Sequence, residues 1–480
     1  MIDRRVVTAF ACFVTLLTFS GCRQYSAPET SGSFQAPTTR PLTYADVVDR
    51  VAPAVVTIRA NRRVRAPEQY PFFNDPLFQH FFGFGRMPGQ GGGTQVERAL
   101  GSGVIVRPDG HILTNQHVVD GADEIKVDLN DHRTFSAKLL GSDAPSDLAV
   151  LKINAGNLPV LSLGDSDKVR VGDVCLAIGN PLGIGQTVTS GIISAKGRRT
   201  GLSNGSFEDF LQTDAPINRG NSGGALTNTN AELIGINSQI MSTTGASIGI
   251  GFAIPSNMAR TVMDQLIRGG KVQRGQLGVS IQPITSDLAQ SLGLKDIKGV
   301  IVSSVTPGGP ADKAGIKSGD VITALNGKSI DDSNTFRNEI ASSGPGTTVT
   351  LTINRSGAEQ QVKATLGDLS TSPTGNDTGG GGGGAGSGRL GVTIAPITPD
   401  IAAQLGLKAG TQGLVVADVD PSGPAADAGI QAGDVITEVN RQAVRSPGDV
   451  ASALDKSNGR PALLLINRGG QNLFVTVHPR

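Results

Sequence analysis

The apolar positions of this chain come in short runs separated by turn residues, and no long amphipathic helical pattern dominates. The stretch GSGVIVRPDGHILTNQHVVDGADEIKV, residues 101–127, is typical. It reads as a strand, a turn and a second strand that a histidine closes. Many short strands joined by glycine-rich turns predict a mainly β protein.

Length and composition narrow this picture. A chain of 480 residues exceeds what one core supports and predicts about two to four domains. Glycine, with 65 residues, has about twice its average share, which suits many turns. The absence of Trp, the 3 Tyr and a formal charge of +1 argue against a nucleic-acid partner.

The N-terminus has the pattern of an export signal. Arg4 and Arg5 precede the run VVTAFACFVTLLTF, which suits a signal-peptide core and is short for a bilayer span. Residues 1–22 are therefore predicted to be a signal peptide, whose end FSGC resembles a bacterial lipobox with Cys22 as the lipidated residue. An uncleaved anchor and ordinary cleavage nearby are the alternatives, and all three export the protein. Residues 23–43, rich in Pro, Ser and Thr, are predicted to be a flexible tether.

The cysteines and motifs exclude several chemistries. The mature chain would have at most one free thiol, that of Cys175, so no internal disulfide is expected. Cys175 lies in the apolar run VGDVCLAIGN and is predicted to be a small buried side chain. The sequence contains no HExxH motif, no paired Cys/His spacing and no P-loop. Neither a metal nor another cofactor is expected.

The segment NRGNSGGAL, residues 218–226, places Ser222 among glycines. Gly, Asn and Ser also cluster in ordinary turns, so the motif alone leaves two interpretations open. A serine hydroxyl becomes a good nucleophile only beside a positioned base, which is itself oriented by a carboxylate. Of the five histidines, His117 in TNQHVV has the most suitable context, and Asp147 in SDLAVLK precedes an apolar strand.

Together these segments carry a family resemblance. TNQHVV, SDLAVLK, NRGNSGGAL and GIGFAIP, the last at residues 249–255, resemble the signatures of the HtrA (DegP, or Do-like) serine proteases. The resemblance implies a chymotrypsin-like double six-stranded β-barrel over residues 44–272. It makes Ser222 the nucleophile, His117 the general base and then acid, and Asp147 the orienting carboxylate.

The resemblance also implies the substrate-binding groups. The amides of Gly220 and Ser222 would form the oxyanion hole. Asn221 stands where trypsin-like enzymes have aspartate, so activation by a newly cut N-terminus is not expected. Gly220 and Asn221 would contact substrate, and a hydrophobic specificity pocket would be lined by three further side chains, namely Ile217, Met241 and Ile250.

Two long segments have regulatory interpretations. Residues 194–215 are predicted to form a loop between two strands, and by resemblance this is a sensor loop in which Arg198 or Arg199 contacts the next domain. The Phe-rich segment APEQYPFFNDPLFQHFFGFGRMPGQGGGTQ interrupts the first strands. A disordered insert is the alternative to a loop that reaches neighbouring subunits, as in the family.

An internal repeat follows. ITSDLAQSLGLK at 284 recurs as ITPDIAAQLGLK at 397, and AGIKSGDVITALNG at 314 recurs as AGIQAGDVITEVNR at 428. A spacing of 113 to 114 residues indicates duplicated domains. Residues 273–368 and 388–480 resemble small α+β PDZ domains, joined by a Gly/Ser-rich linker over 369–387. Peptide C-termini would bind at the sequences QLGVSI and RLGVTI, through Leu277, Gly278 and Val279, and through Leu390, Gly391 and Val392.

The expected function follows from the family. The chain would be an ATP-independent endoprotease of the periplasm that degrades unfolded or damaged exported proteins. Its partners would be unfolded polypeptides, peptides with apolar C-termini and further copies of itself, as a trimer or multiples of it. A peptide-binding chaperone with little proteolysis is the alternative.

Overall fold

A computed structural model describes residues 43–64, 95–180, 185–200, 207–218, 220–241, 247–294, 297–369, 390–398, 411–455 and 461–478, with 401, 402, 405 and 407. The predicted signal peptide with Cys22 and the tether up to residue 42 lie outside the described residues. The same holds for the Phe-rich insert up to residue 94 and for nearly all of the predicted linker.

The described helices are short apart from one that follows the second barrel. They are α1 Ala45–Val51, α2 Gln116–Val119, α3 Ser256–Gly269, α4 Ser286–Leu292, α5 Pro310–Lys313, α6 Ser333–Ser343, α7 Pro424–Asp427 and α8 Pro447–Asp455. Single 3-10 turns cover Ala52–Ala54, Ala144–Ser146 and Ser166–Lys168. Among the described residues, none of the helices is long and apolar enough to cross a membrane.

Six strands close the first barrel in the order β1-β2-β3-β6-β5-β4. They are β1 Val55–Val64, β2 Gln95–Ile105, β3 His111–Thr114, β4 Glu124–Asp128, β5 Thr134–Asp143 and β6 Leu148–Lys152. Its interior is filled by branched apolar side chains, among them Ile58, Ile112 and Leu151, which are fully buried. Burial of such side chains stabilises the barrel by about 1.5–3 kcal/mol each.

A second barrel closes in the order β10-β11-β12-β9-β8-β7. Its strands are β7 Val174–Gly179, β8 Thr187–Arg198, β9 Phe210–Thr213, β10 Ala225–Asn228, β11 Leu233–Ile240 and β12 Gly251–Pro255. The expected double six-stranded barrel is therefore confirmed. Cys175 is buried as predicted, and burial raises the pKa of its thiol to about 11.

Two further sheets follow with one topology. The first contains β14 Val279–Pro283, β15 Val300–Val305, β16 Val321–Leu325, β17 Lys328–Ser329, β18 Thr348–Arg355 and β19 Ala358–Thr365, beside the short pair β13 Gly275–Gln276 and β20 Gly367–Asp368. The second contains β21 Val392–Pro396, β22 Leu414–Val419, β23 Val435–Val439, β24 Gln442–Ala443, β25 Ala462–Arg468 and β26 Gln471–Val477. The orders β14-β15-β16-β18-β19 and β21-β22-β23-β25-β26 correspond strand by strand.

The duplication extends to a buried ion pair in each unit. Arg355 donates to both oxygens of Asp320 in the first, and Arg468 does the same to Asp434 in the second. Both carboxylates are almost fully buried. The repeat detected in the sequence is thus a repeat of architecture as well.

Two local predictions are wrong. The sequence placed His117 at the end of a strand, whereas β3 ends at Thr114 and His117 lies in the single turn of α2. Residues 194–215 were predicted to be one loop, but β8 extends to Arg198, which pairs with Phe210 at the start of β9. The connection is therefore confined to residues 199–209, of which 201–206 lie outside the described chain.

Candidate active site

Asp147 lies where a 3-10 turn becomes strand β6. Its backbone has a left-handed φ of 53°, which is uncommon for a residue other than glycine. Its carbonyl accepts hydrogen bonds from the Asn115 side chain (3.0 Å) and the Gln116 amide (3.1 Å). These bonds end the β3 ladder and turn the chain that carries His117 toward Asp147.

The carboxylate of Asp147 orients the imidazole of His117. Both carboxylate oxygens lie 2.9 Å from Nδ1 of His117, and the His117 amide donates to Oδ1 at 3.1 Å. A carboxylate on Nδ1 favours the tautomer with its proton there and leaves Nε2 as the proton acceptor. The His117 side chain is almost fully buried between the barrels.

Ser238 connects this pair to Ser222. The Ser222 hydroxyl donates to the carbonyl oxygen of Ser238 at 2.9 Å, and the Ser238 hydroxyl donates to Oδ2 of Asp147 at 2.9 Å. The three residues of the predicted triad therefore belong to one hydrogen-bonded network. Ser238 was missed by the sequence analysis, because a lone serine inside the run LIGINSQI has no recognisable motif.

The glycines around Ser222 allow backbone to approach backbone. Gly220 and Gly223 have φ values of 93° and 81°. A Cβ on Gly223 would lie 2.1 Å from the carbonyl oxygen of Ser102, and one on Gly224 would lie 2.3 Å from that of Ile178. Neither contact is sterically possible, so the turn around Ser222, residues 220–224, requires glycine at positions 223 and 224.

The two amides assigned to the oxyanion hole are available. Within the part of the chain that the structure describes, neither the Gly220 amide nor the Ser222 amide donates a hydrogen bond. The Asn221 amide instead donates to the carbonyl of Asn218 at 3.0 Å, and its side chain is buried. Asn221 is therefore part of the turn that presents the two amides.

The three side chains predicted to line the specificity pocket have different environments. Ile217 is fully buried in the second barrel, where its side chain fills the space beside Gly251. Met241 is largely exposed and Ile250 is half-buried, and the Met241 amide donates to the Ile250 carbonyl at 3.1 Å. Ile217 thus packs as core, while the hairpin of Met241 and Ile250 is accessible.

The connection 199–209 contacts the first PDZ-like sheet through residues that the sequence analysis did not single out. The Glu208 carbonyl accepts hydrogen bonds from the side chains of Asn334 and Asn338 on helix α6, both at 2.8 Å. The Phe207 ring lies between the guanidinium groups of Arg274 and Arg337, at 4.5 and 4.7 Å. Favourable cation–π contacts and these hydrogen bonds therefore hold the connection against helix α6 and Arg274.

The predicted regulatory arginines lie at the edge of this contact. Arg198 and Arg199 are both exposed. Burial lowers the pKa of Arg337, and the nearby positive charge of Arg199 lowers it further. Arg199 is thus close enough to helix α6 to be felt electrostatically.

An ion pair joins the first barrel to the segment that leads into the PDZ-like sheet. Arg274 donates to both oxygens of Asp143, at 2.8 and 2.6 Å, and both side chains are largely buried. Asp143 also accepts from the amide of Ser146, the residue directly before Asp147. The position of Arg274 is therefore linked by two contacts to the orienting carboxylate.

The predicted carboxylate-binding loops have matching backbones. Gly278 and Gly391 have φ values of 78° and 71°. Their carbonyls accept from the amides of Thr306 and Asp420, and the carbonyls of Leu277 and Leu390 accept from those of Ala311 and Ala425. Leu277, Leu390 and Val392 are buried, while Val279 is half-buried. Both loops therefore have the same turn at the start of an edge strand.

Asp209 provides a pH-dependent feature of the same contact. Burial, with the negative charges of Asp167 and Asp332, raises its pKa to about 6, against the lowering effect of Lys196 and Lys328. The folded state thus retains the proton that the unfolded state releases near pH 4. As the pH rises from 4 to 6, the free energy of unfolding falls on this account, and above pH 6 the loss is complete.

We therefore expect Asp209→Asn to raise the melting temperature at pH 7.5 and to raise it less at pH 4.5. The gain in unfolding free energy at pH 7.5 should be at most about 2 kcal/mol, since solvent screens a half-buried charge. Thermal unfolding of both proteins at the two pH values measures it. An equal gain at both would show that the ionisation of Asp209 does not destabilise the fold.

Among the described residues, no group of three or more His, Cys, Asp or Glu could hold a metal ion. The arrangement of a carboxylate, an imidazole and a hydroxyl beside two available amides suits acyl transfer without one. Two closed barrels with this site between them define a trypsin-like serine peptidase. A family model described as a trypsin-like peptidase domain matches residues 101–236, and PDZ domain models match 275–366 and 415–468.

Relatives cover nearly the whole chain. A probable periplasmic serine endoprotease DegP-like of Chlamydia pneumoniae is 42% identical over 449 residues, 91% of this chain and 89% of the relative. A probable periplasmic serine endoprotease DegP-like of Brucella suis biovar 1 is 41% identical over 471 residues, which cover 90% of this chain and 89% of the relative. The chain belongs to the HtrA family of serine endoproteases, with a DegP-like arrangement of one protease domain and two PDZ domains.

Solved structures agree with this assignment. The HtrA-type protease AlgW with a tripeptide has a TM-score of 0.56 and 44% identity, and covers 68% of this chain and 97% of its own. AlgW with a decapeptide has a TM-score of 0.54 and 45% identity, with coverage of 68% and 99%. The predicted fold class and the serine endopeptidase activity are thereby confirmed.

Proposed function

We propose that this protein is an ATP-independent endoprotease that degrades unfolded or damaged exported proteins, with Ser222, His117 and Asp147 as its catalytic residues. The network that joins Ser222 through Ser238 to Asp147 and His117 is the observation that carries the proposal. It unites in one site residues that are more than a hundred positions apart in the sequence. The names of the relatives support an endoprotease of the periplasm.

In this mechanism the Ser222 hydroxyl turns about its Cα–Cβ bond from the Ser238 carbonyl to Nε2 of His117. Its oxygen attacks the carbonyl carbon of the scissile peptide bond, and His117 takes the proton. Asp147 stabilises the imidazolium that results. His117 then protonates the leaving amine. In the second half of the reaction, water attacks the acyl-enzyme while His117 takes a proton from it, and His117 returns this proton to Ser222 as the acid product leaves.

The developing oxyanion accepts hydrogen bonds from the amides of Gly220 and Ser222. Donors that are fixed before reaction stabilise this charge without reorganisation, and each is worth about 10²–10³ in kcat. The glycine-dependent turn from residue 220 to residue 224 fixes these donors. The substrate backbone lies along the same turn, beside Gly220 and Asn221.

Digestion of one substrate protein in its folded form and in a reduced, alkylated, unfolded form tests the proposal. In buffer without nucleotide, the unfolded form should be degraded and the folded form should persist. A requirement for ATP, or equal degradation of both forms, would contradict the proposal. Suppression of substrate aggregation without any cleavage would favour the chaperone alternative.

We expect cleavage after small or branched apolar residues, namely Val, Ala, Ile and Leu. The hairpin of Met241 and Ile250 and the buried Ile217 offer no charge to a basic side chain. Discrimination among the apolar residues should be modest, since one methylene is worth only about 1–3 kcal/mol. Mass-spectrometric mapping of cut sites in an unfolded substrate measures this, and predominant cleavage after Lys or Arg would contradict it.

The PDZ domains are proposed to regulate the protease by binding peptides with apolar C-termini. A bound peptide would add as a strand to β14, with its carboxylate at the amides of Leu277 and Gly278, and similarly at Leu390 and Gly391. The peptide-bound AlgW structures support a peptide ligand. The contacts of Phe207 and Glu208 with the first PDZ domain offer a route to the loops beside Gly220, with Arg198 or Arg199 as the proposed sensor.

A peptide with an apolar C-terminus should therefore raise the turnover of a small reporter substrate. The same peptide with an amidated C-terminus is the matched control, and it should not stimulate because it lacks the carboxylate. Replacing Arg198 and Arg199 by alanine should abolish stimulation and leave basal turnover. Equal stimulation by the amidated peptide would contradict carboxylate capture. Undiminished stimulation of the double variant would remove the arginines from the coupling.

Location and assembly complete the proposal. The periplasm is supported by the names of the relatives and by the export signal that the sequence predicts for residues 1–22. Cys22 is proposed to carry a lipid anchor, and radiolabelled palmitate should be incorporated in cells by the natural chain but not by Cys22→Ser.

A trimer or a multiple of it is proposed as the assembly, and light scattering of the purified protein measures its mass.

A further inference from the structure

Ser102 lies where the strand pairing of the first barrel is interrupted, and it contacts the turn around Ser222, residues 220–224. It belongs to β2 and pairs with Thr57 of β1 on one side. On the other side the ladder between β2 and β3 covers only Val104 and Ile105. Ser102, which is fully buried, therefore has backbone groups on that side that no strand uses.

The backbone of Ser102 contacts both catalytic segments. Its amide donates to the carbonyl of Ser222 at 2.8 Å. Its carbonyl accepts from the hydroxyl of Thr114 at 2.7 Å, the last residue of the strand before His117. One residue thus bridges the segment of the proposed base and that of the proposed nucleophile.

The side chain of Ser102 continues the same pattern. Its hydroxyl donates to the carbonyl of Gly220 at 2.5 Å and accepts from the amide of Asn180 at 2.8 Å. Both partners belong to the second barrel side of the site. All the polar groups of Ser102 are therefore engaged, and two of its bonds hold the carbonyls of the residues that provide the oxyanion donors.

Glycines on both sides of Ser102 and at the end of β7 allow close packing around it. A Cβ on Gly101 would lie 2.7 Å from both methyl groups of Val118, and one on Gly103 would lie 2.7 Å from Cδ1 of Ile58. A Cβ on Gly179 would lie 3.0 Å from the Ser102 hydroxyl. Gly101, Gly103 and Gly179, the last residue of β7, therefore allow the two barrels to pack closely around the Ser102 hydroxyl.

We propose that Ser102 is a positioning residue that sets the orientation of the oxyanion donors at Gly220 and Ser222. Gly220 has a φ of 93°, and glycine has no side chain to select one backbone conformation. The bond from Ser102 to the Gly220 carbonyl holds the peptide plane between Gly220 and Asn221, and so restricts the backbone rotations at Gly220 that aim its amide. The Ser102 amide fixes the Ser222 carbonyl in the same way.

This inference rests on the proposed catalytic roles of Ser222 and Gly220. Ser102 itself touches neither substrate nor reacting atoms. Losing its hydroxyl should therefore weaken stabilisation of the transition state and leave substrate binding unchanged. A residue that acted only on the fold would change melting temperature without such a selective effect.

Ser102→Ala in the full chain is the test, and Ser256→Ala is the matched control. The Ser256 hydroxyl is equally buried and donates to the Gly164 carbonyl at 2.9 Å, at the start of helix α3. With a reporter peptide, Ser102→Ala should lower kcat about 10- to 100-fold and leave KM within about twofold. Affinity for a peptide boronate, which binds as a tetrahedral adduct, should fall by a similar factor. Ser256→Ala should change neither quantity.

Ser102→Cys is a second variant, and it carries the test if the alanine variant does not fold. A thiol is larger than a hydroxyl and is a weaker donor, so the kcat and the boronate affinity of this variant should also fall below those of the natural chain. A Cys variant with the kcat and boronate affinity of the natural chain would overturn the proposal.

A further result would overturn the inference alone. If Ser102→Ala has the kcat and boronate affinity of Ser256→Ala while Ser222→Ala is inactive, Ser102 does not position the donors and the proposed function stands. If Ser222→Ala retains cleavage, the proposed function fails first and the inference fails with it.

Discussion

Replacing Ser222 by alanine should lower kcat/KM for casein digestion by a factor on the order of 10⁶, because no other group can form the acyl-enzyme. His117→Ala should lose a similar factor, since the hydroxyl then has no positioned proton acceptor. Asp147→Asn should retain more activity, with a loss of about 10⁴, because it disturbs the imidazole tautomer and leaves the nucleophile in place.

Ser222→Ala should leave the fold nearly unchanged, because among the described residues the Ser222 hydroxyl makes only the bond to the Ser238 carbonyl. The double variant Ser222→Ala/His117→Ala should be no less active than either single variant, since the residues act as a unit. Ser256→Ala is the control for removal of a buried hydroxyl. An Asp147→Asn variant with full activity would show that another carboxylate orients the imidazole.

Replacing Arg274 by alanine should cost about 3–5 kcal/mol of unfolding free energy, because it leaves the carboxylate of Asp143 buried without its cation. The Phe207 ring loses a cation at the same time. The Ser146 amide and hydroxyl still donate to Asp143, which favours the lower end of this range. Urea denaturation measures the loss of unfolding free energy, with circular dichroism or the fluorescence of an attached label as the signal.

Arg468→Ala is the matched control, since Arg468 holds the buried Asp434 by the same two bonds in the second PDZ domain. Both variants should be destabilised. Only Arg274→Ala should also lower protease turnover, because Asp143 caps the turn that leads into Asp147. Equal turnover of the two variants would show that the Arg274–Asp143 pair has no special connection with the active site.

Local motifs were enough to single out the three residues of the proposed triad. Ser222 among glycines, His117 in TNQHVV and Asp147 before an apolar strand are each recognisable within a few residues. Ser102 and Ser238 were not, because their roles come from bonds to segments far along the chain. A single buried serine has the same sequence context whether it holds a catalytic backbone or an ordinary one.

Long-range bonds also explain the two local errors. The apolar pair after His117 continues the strand pattern, but the bonds from Asn115 and Gln116 to the Asp147 carbonyl end the strand earlier. Strand β8 extends to Arg198 because β9 pairs with it there. The contact of Glu208 with Asn334 and Asn338 joins residues more than a hundred positions apart, so no local pattern could indicate it.

Labelling with a fluorophosphonate tests the central claim most directly, since this reagent reacts with an activated serine. The full chain would be incubated with the reagent alongside His117→Ala and Ser222→Ala, and the modified residue would be located by peptide mass spectrometry. One adduct on Ser222 of the natural chain, lost in both variants together with casein digestion, is the predicted result. An adduct on another serine, or casein digestion that continues in the Ser222→Ala variant, would contradict the account.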